Sequence, residues 1–527
     1  MKINKNITIV FNCEFPFLPH GQECEVKLNN FFNLISYTYL PLLRMCKNLE
    51  SEAIPFSFAI AFEGSLCEML SSTTILKKYI AHLDKTIEFC DDELSRCHKC
   101  KKTLKLIQAH KNFLQENKKD LIEYDSNILK QFDIYAQKGC IEIMATTATS
   151  AFLPFYINMK EAIAAQIETG KLNYRQFFSG LTSGFWLPGK AGYISGLEKI
   201  IRSYGFDYTV VDTKAFLFSD KIPSYGIFSP AMTDSNLVVF AKDMSASDDV
   251  IGGKNPYINS AHYLNTNRDI GFELSENYLS KLFNTSHGRR CSGFTYYSQA
   301  EGNEIYDITK ASEQAKTHAE DFVANRLNKL KQAEEIVSTN IPLSSVFIAT
   351  SEFMGNRWFE GIKWLENVFK VCAKNPEIQC SLPRDIIKNC KQIETISPFF
   401  SSLLDDGYAG GFLNNENDMM YRHIINATER MIDLANRFEH DTGLKRRVLN
   451  MAAREIILAQ STIWPLMANT AYGKECAEKT FTEHITSFNR LYDSLGSGVV
   501  NTKLLSKREH LYPIFSEINY RSFSQKK

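Results

Sequence analysis

The sequence predicts an α/β protein, a barrel or doubly wound parallel sheet with an inserted helical hairpin and an all-helical C-terminal domain. Three observations predict it. Short runs rich in β-branched and aromatic residues alternate with helical patterns over the first two thirds of the chain. From Ser72 to Lys138 they are interrupted by a stretch dominated by Lys, Glu, Asp, Gln and Leu that lacks Gly and Pro. Beyond Pro398, apolar residues recur almost throughout at helical spacing.

Residues 6–11 (NITIVF) and 55–62 (PFSFAIAF) read as buried strands. Between them, Phe31 to Leu49 follows helical spacing, so the chain opens strand, helix, strand. Residues 72–138 are predicted to form a pair of long helices inserted into that unit. Strand-like runs resume at Cys140–Thr147, Ser183–Leu187, Tyr208–Val211, Leu237–Ala241 and Val346–Ala349, with helical patterns at Tyr193–Tyr204 and Glu313–Val337. Asn255–Ser298 reads as a long irregular excursion, and helices are predicted at Asp418–Glu439, Lys445–Met467 and Cys476–Leu495. The expected division is 1–71 with 139–385 as the α/β unit, 72–138 as the hairpin and 386–527 as the helical domain. Chemistry in such a sheet belongs at the C-terminal ends of the strands.

Hydrophobic residues are 44% of the 527 and charged residues 23%, which suffices for a sizeable core. Lys plus Arg and Asp plus Glu both number 60, so no net field favours nucleic acid or an anionic membrane surface. No apolar run approaches the roughly 18 residues that cross a bilayer. The N-terminal MKINKNITIVFNCEF lacks the long apolar region and cleavage site of a secretory signal. Thirteen cysteines, an odd number spread from Cys13 to Cys476, suit reduced thiols. A cytoplasmic protein without a cofactor is expected, and its oligomeric state is left open. Cys97, His98 and Cys100, with Cys90 nearby, bring zinc-binding residue types together, but no second Cys or His pair follows at suitable spacing. Exposed thiols on a charged helix are expected there, and the basic run His98–Lys111 reads as a solvated helix face.

Nine stretches, in order along the chain, carry a family resemblance. They are YTYLPLLRMCKNL (37–49), ATTATSAFLPFY (145–156), SGFWLPGKAGYISGLEKIIRSYGFDYTVVD (183–212), RDIGFEL (268–274), HAEDFV (318–323), SEFMGNRWFEG (351–361), GYAGGFLN (407–414), EIILAQSTIWPLM (455–467) and HITSFNRLYD (484–493). They resemble glycoside hydrolase family 57, specifically its 1,4-α-glucan branching enzyme branch. The resemblance implies a (β/α)7 barrel with an inserted helical hairpin and a C-terminal helical domain, and an α-glucan partner.

A retaining glycosidase or glucan transferase needs a nucleophilic carboxylate and an acid/base carboxylate about 5–5.5 Å apart. In the family the nucleophilic Glu follows Trp-Leu-Pro. Here Trp186, Leu187 and Pro188 are followed by Gly189, Lys190, Ala191, Gly192 and Tyr193, so Gly189 takes the place of the Glu, and a shift by one offers only Lys190. The acid/base Asp, which opens the motif Asp-x-Glu-Leu-Phe-Gly-His-Trp-Trp-Phe-Glu-Gly, corresponds to Thr350, whose hydroxyl is too weak an acid. His-x-His-x-Pro reads Asn12, Cys13, Glu14, Phe15, Pro16, and the His of Ala-Thr-His-Gly is Ser150. Ser-Asp-Trp becomes Thr462, Ile463, Trp464, while Ser-Ser-Trp and Trp-Leu-Asn become Ser401, Ser402, Leu403 and Phe412, Leu413, Asn414.

The remaining acid candidates are Glu14 and Glu352. Glu352, two positions beyond Thr350, would face the same side along a strand; its other reading is a structural ion-pair or capping residue. Trp186, Trp358, Phe412 and Trp464 are candidate sugar platforms or, equally, core aromatics. Asp212 is placed to orient a sugar hydroxyl or to cap the next turn. The leading expectation is a catalytically impaired homologue of the branching enzyme that binds α-glucan or serves as a scaffold. Its rivals are an enzyme with relocated acids, such as Glu14 and Glu352, and a protein–protein module that has abandoned sugars.

Overall fold

A computed structural model describes residues 4–180, 182–336, 341–404, 406–470 and 473–525. Its strands are β1 (Lys5–Cys13), β2 (Phe58–Phe62), β3 (Ile141–Met144), β4 (Tyr208–Val211), β5 (Ala231–Met232), β6 (Val238–Ala241), β7 (Leu343–Thr350), β8 (Ile378–Cys380) and β9 (Glu394–Thr395). The first sheet has the order β3-β2-β1-β7, all parallel, with β8 beside the start of β1; the second runs β4-β6-β5-β9. Isolated parallel bridges Ala145 to Phe185 and Gly184 to Tyr208 join β3 to β4 through residues 184–185. On the other side, the Asp243 N–H after β6 donates to Val346 O in β7 at 2.8 Å. Seven parallel segments therefore close into a (β/α)7 barrel. β1 and β2 are buried on both faces, as strands enclosed by crossover helices must be, which is why they read as continuous apolar runs.

The run Ser183–Leu187 is predicted as a strand and forms only these two bridges. Gly184 donates its N–H to Thr182 Oγ1 at 3.2 Å instead of to a ladder, and a Cβ there would lie 2.4 Å from the Tyr208 hydroxyl oxygen. Residues 72–138 hold the predicted pair of long helices, Thr73–Arg96 and Lys101–Glu123, and a third, Ile128–Gln137. Asp125 and Ser126, both at positive φ, make the turn that separates it, and the Asn127 side chain caps it. The excursion after Asn255 contains only short helical turns before the long helix Ile308–Ile336.

That long helix fastens the seam of the barrel. Its Arg326, 1% exposed, places Nη1 2.8 Å from Asp243 Oδ2 and Nη2 2.7 Å from Asp249 Oδ2, while Ser345 Oγ of β7 donates to the same Asp243 oxygen at 2.6 Å. Burial opposes the Asp243 charge, but the guanidinium and the hydroxyls outweigh it and hold its pKa below the usual value.

Beyond Pro398 come helices Asp418–Arg437, Gly443–Ala459, Ile463–Ala468, Lys474–Ser497 and Thr502–Leu511. Glu455, wholly buried, ties three of them together through Arg508 (2.6 and 2.8 Å) and His484 Nδ1 (2.7 Å). The helix predicted over Lys445–Met467 breaks at residues 460–462, because that backbone is used elsewhere. Ser461 pairs antiparallel with Ala151, and Thr462 donates from N and Oγ1 to Ser150 O at 3.1 and 2.6 Å. Among the described residues no helix is long and apolar enough to cross a membrane, and no three His, Cys, Asp or Glu side chains converge to hold a metal ion. His98 places Nδ1 2.9 Å from Ser95 O at the turn of the hairpin.

Candidate functional site

The C-terminal strand ends place the two substituted positions at the barrel mouth. Thr350 closes β7 and lies in register with Asn12 of β1. After Pro188, Gly189, Lys190 and Ala191 take φ values of 60°, 58° and 52°, a left-handed turn in which Ala191 and Gly192 bond back to Leu187 O and Pro188 O at 3.2 and 3.3 Å. Only glycine adopts this backbone freely, so the two flanking side chains carry strain of the order of 1 kcal/mol each. Segment 401–403 holds the turn: Leu403 N–H bonds Lys190 O at 2.7 Å, and Tyr193 and Ser401 exchange backbone bonds. A Cβ on Gly189 would stand 2.9 Å from Phe152 Cα and 3.1 Å from its ring. The space a side chain at position 189 would need is thus filled by Phe152.

The turn aims Lys190 across the mouth, with Nζ 2.8 Å from Glu14 Oε1. Burial works against the ammonium, yet the Glu14 carboxylate, with a smaller share from Glu352, raises its pKa; Arg357 subtracts from that. Glu14 is therefore committed to an ion pair. Glu352 does not continue β7, because the chain turns at Ser351–Phe353 into a 3-10 turn; the alternation that put it on the side of Thr350 does not apply, and it is exposed.

The C-terminal helices seal the rim. Besides the bonds to Ser150 O, Thr149 Oγ1 donates to Ile457 O at 2.8 Å, Gln166 Nε2 to Gln460 Oε1 at 2.8 Å, and the Phe412 ring lies 4.7 Å from that of Phe152. Trp186, Trp358, Phe412 and Trp464 are 2, 1, 0 and 3% exposed. Of their two readings, burial favours core aromatics over sugar platforms, since stacking requires an open ring face. Trp358 packs among Tyr263, Phe353 and Trp364, and Trp464 carries the Lys27 ammonium 5.0 Å above its ring while its N–H donates to Leu458 O. Asp212, read as orienting a sugar hydroxyl or capping the next turn, is 3% exposed and caps helix Thr213–Leu217 by accepting from Lys214 N at 3.0 Å.

Residues 8–397 match glycosyl hydrolase family 57, and residues 423–523 match the C-terminal part of 1,4-alpha-glucan branching enzymes. The chain belongs to glycosyl hydrolase family 57. It is 30% identical to the alpha-amylase AmyC of Thermotoga maritima, with both chains covered in full and a TM-score of 0.91. The 1,4-alpha-glucan branching enzyme of Thermococcus kodakarensis is 24% identical over 95% of this chain and 76% of its own. A branching enzyme of Pyrococcus horikoshii shares the fold at a TM-score of 0.89 and 22% identity, covering 99% of this chain and 97% of its own.

In this family 57 mouth the sequence reading missed one acid, Glu63, which follows β2 directly and is 3% exposed. Its position at the C-terminal end of a buried strand is the signal that could have found it. Glu63 Oε1 accepts from Ser150 N at 2.6 Å and Oε2 from Phe15 N at 3.1 Å, so its carboxyl holds together the loops that carry Ser150 and Glu14. Burial, reinforced by the nearby charge of Glu14, pushes its pKa up from 4.5 to about 8. The folded protein thus binds this proton more tightly than the unfolded chain, and stability falls as pH rises between those two values. Glu63→Gln keeps the shape and removes the titration. Between pH 5 and 8 the wild type is expected to lose up to about 4 kcal/mol that the variant keeps. Urea midpoints of the two proteins across that range check this, and parallel curves would contradict it.

Proposed function

We propose that this family 57 protein is a branching-enzyme-type member of α-glucan metabolism that does not transfer glycosyl groups. One observation carries the reading: position 189 has no room for a side chain, and the next residue spends its charge on the nearest acid, Glu14. No sugar ester forms without a carboxylate at bonding distance from the anomeric carbon. The acid/base position, Thr350, offers only a hydroxyl. With purified protein and amylose, new α-1,6 branch points are expected to stay at the level of a protein-free control; turnover comparable with that of an intact family enzyme would refute the reading.

The proposal includes α-glucan binding without catalysis, supported by the family and by the branching-enzyme match over residues 423–523. It takes residues 72–138 as an insert in the barrel unit and 386–527 as the helical domain. It places the protein in the cytoplasm, where thirteen free cysteines stay reduced. Burial of all four candidate platforms favours a second reading, a protein–protein scaffold that has left sugars behind. Affinity electrophoresis through glycogen separates the two: retardation supports the binder and free migration the scaffold. Relocated acids are opposed by the engagement of Glu14; under that reading Glu14→Ala and Glu352→Ala would each abolish a measurable activity, whereas none is expected.

A further inference from the structure

A cavity of about 260 Å³ opens where the Lys101–Glu123 helix meets the π-helical turn Ile35–Tyr39, the excursion around residues 264–308 and the turn after β7. Its walls are rings: Tyr37, His110, Phe113, Phe294, Tyr306 and Phe359. Tyr37 and Phe113 lie nearly parallel, 5.5 Å apart at 15°, while Phe294 meets His110 edge-on at 4.8 Å and Phe359 meets Phe113 edge-on at 6.4 Å. Gly293 keeps the space open at φ 84°; a Cβ there would lie 2.5 Å from the Tyr37 hydroxyl oxygen and 3.7 Å from His110 Nε2.

Between the rings the walls also carry the polar side chains of Asn33, Thr266, Asp269, Thr295 and Asn356. Asp269 is fully engaged, accepting from the backbone N–H groups of Gly271, Ser292 and Gly293 and from Ser292 Oγ at 2.7–2.9 Å. His110 Nε2 is the buried side-chain atom of the lining that finds no hydrogen-bond partner among the described residues. A buried polar atom left unpaired costs more than a hydrogen bond returns, so an occupant that meets it gains on both counts. Burial lowers the His110 pKa to about 4, so the ring is neutral at pH 7 and does not call for an anion.

We propose that this cavity is a binding site for a small uncharged aromatic compound of one or two fused rings bearing one hydroxyl or N–H group, which sits between the Tyr37 and Phe294 walls and bonds His110 Nε2. The size supports this, since a dry apolar cavity of about 150 Å³ already admits benzene. A sugar does not fit the chemistry. Most of its hydroxyls would lie against the faces of the six rings. The inference rests on this cavity alone and stands or falls separately from the glucan reading.

The probes are 2-naphthol and naphthalene, which share a shape and differ by one hydroxyl, with binding to the full chain followed by saturation-transfer NMR and naphthol fluorescence. Wild-type protein is expected to bind 2-naphthol. In His110→Phe its affinity should fall about five- to tenfold, the worth of one hydrogen bond, while naphthalene binding changes less than about twofold. Ala109→Phe, which puts a ring into the cavity, should remove binding of both probes. Failure of 2-naphthol to bind the wild type, equal losses for both probes in His110→Phe, or displacement of 2-naphthol by maltohexaose would each overturn the proposal. If Ala109→Phe does not fold, as judged by circular dichroism, the His110→Phe comparison decides.

Discussion

Placing acids at the two aligned positions, Gly189→Glu with Thr350→Asp, is expected to yield no branching turnover and to lower stability by about 2–5 kcal/mol. The cost has two sources, both at position 189. A residue with a Cβ must enter the left-handed region at φ 60°, which costs about 1–2 kcal/mol. That Cβ then stands 2.9 Å from Phe152 Cα, and because the contact is with backbone, rotation of a side chain cannot relieve it. Overpacking of this kind typically adds 1–3 kcal/mol. The new side chain would start against Phe152 and not in an open cleft, so even a tolerated Glu is expected to give no turnover. Thr350→Asp alone is expected to be mild, because Thr350 is only partly buried at the end of its strand. Denaturant unfolding of the single and double variants, with a branch-point assay on each, tests this. An active double variant of undiminished stability would show that the mouth is still a competent site.

Arg326→Met is expected to cost about 3–5 kcal/mol, the largest loss of stability anticipated here for one substitution. Removing the guanidinium leaves the Asp243 carboxylate, 2% exposed, without its counter-charge in the barrel wall. Asp243 also donates its N–H across the seam to Val346, so the damage falls where β6 meets β7 and the barrel closes. The sign with pH follows. In the wild type the depressed pKa of Asp243 contributes stability at neutral pH that is lost as pH falls through that pKa. Once Arg326 is gone, burial is opposed only by the hydrogen bonds from Ser245, Ser345 and Ala246, so the pKa of Asp243 rises and the deficit of the variant should shrink as the pH is lowered. Thermal unfolding at pH 7 and pH 5 measures both effects; a deficit independent of pH would mean that lost packing, not the stranded charge, is responsible.

The strands and long helices were legible because their apolar patterns are local. β4 was predicted with its observed bounds, and β1, β2, β6 and β7 within a few residues, since each is a short apolar run bounded by turn residues. Residues 183–187 were harder because a strand is defined by its partners, and Thr182 Oγ1 takes the Gly184 N–H that a longer ladder would have used. The break at Ser461 was invisible for the same reason: its cause is Ala151, more than three hundred residues earlier. The site divided along the same line. That no acid lies between Trp186 and Tyr193 can be read from the sequence alone. That the hole is filled by Phe152, that Glu14 is claimed by Lys190 and that Glu63 bridges two loops are facts of packing that no local pattern encodes.

The bonds at the barrel rim also set a timetable for the growing polypeptide. The carbonyl of Ser150 and the hydroxyl of Thr149 are joined to residues 462 and 457, separated from them by about three hundred positions. On the ribosome, every strand of the barrel emerges before the groups that satisfy this loop have been made, and contacts so distant along the chain are slow to close. Until translation is nearly finished, the nascent barrel must carry an uncapped upper edge.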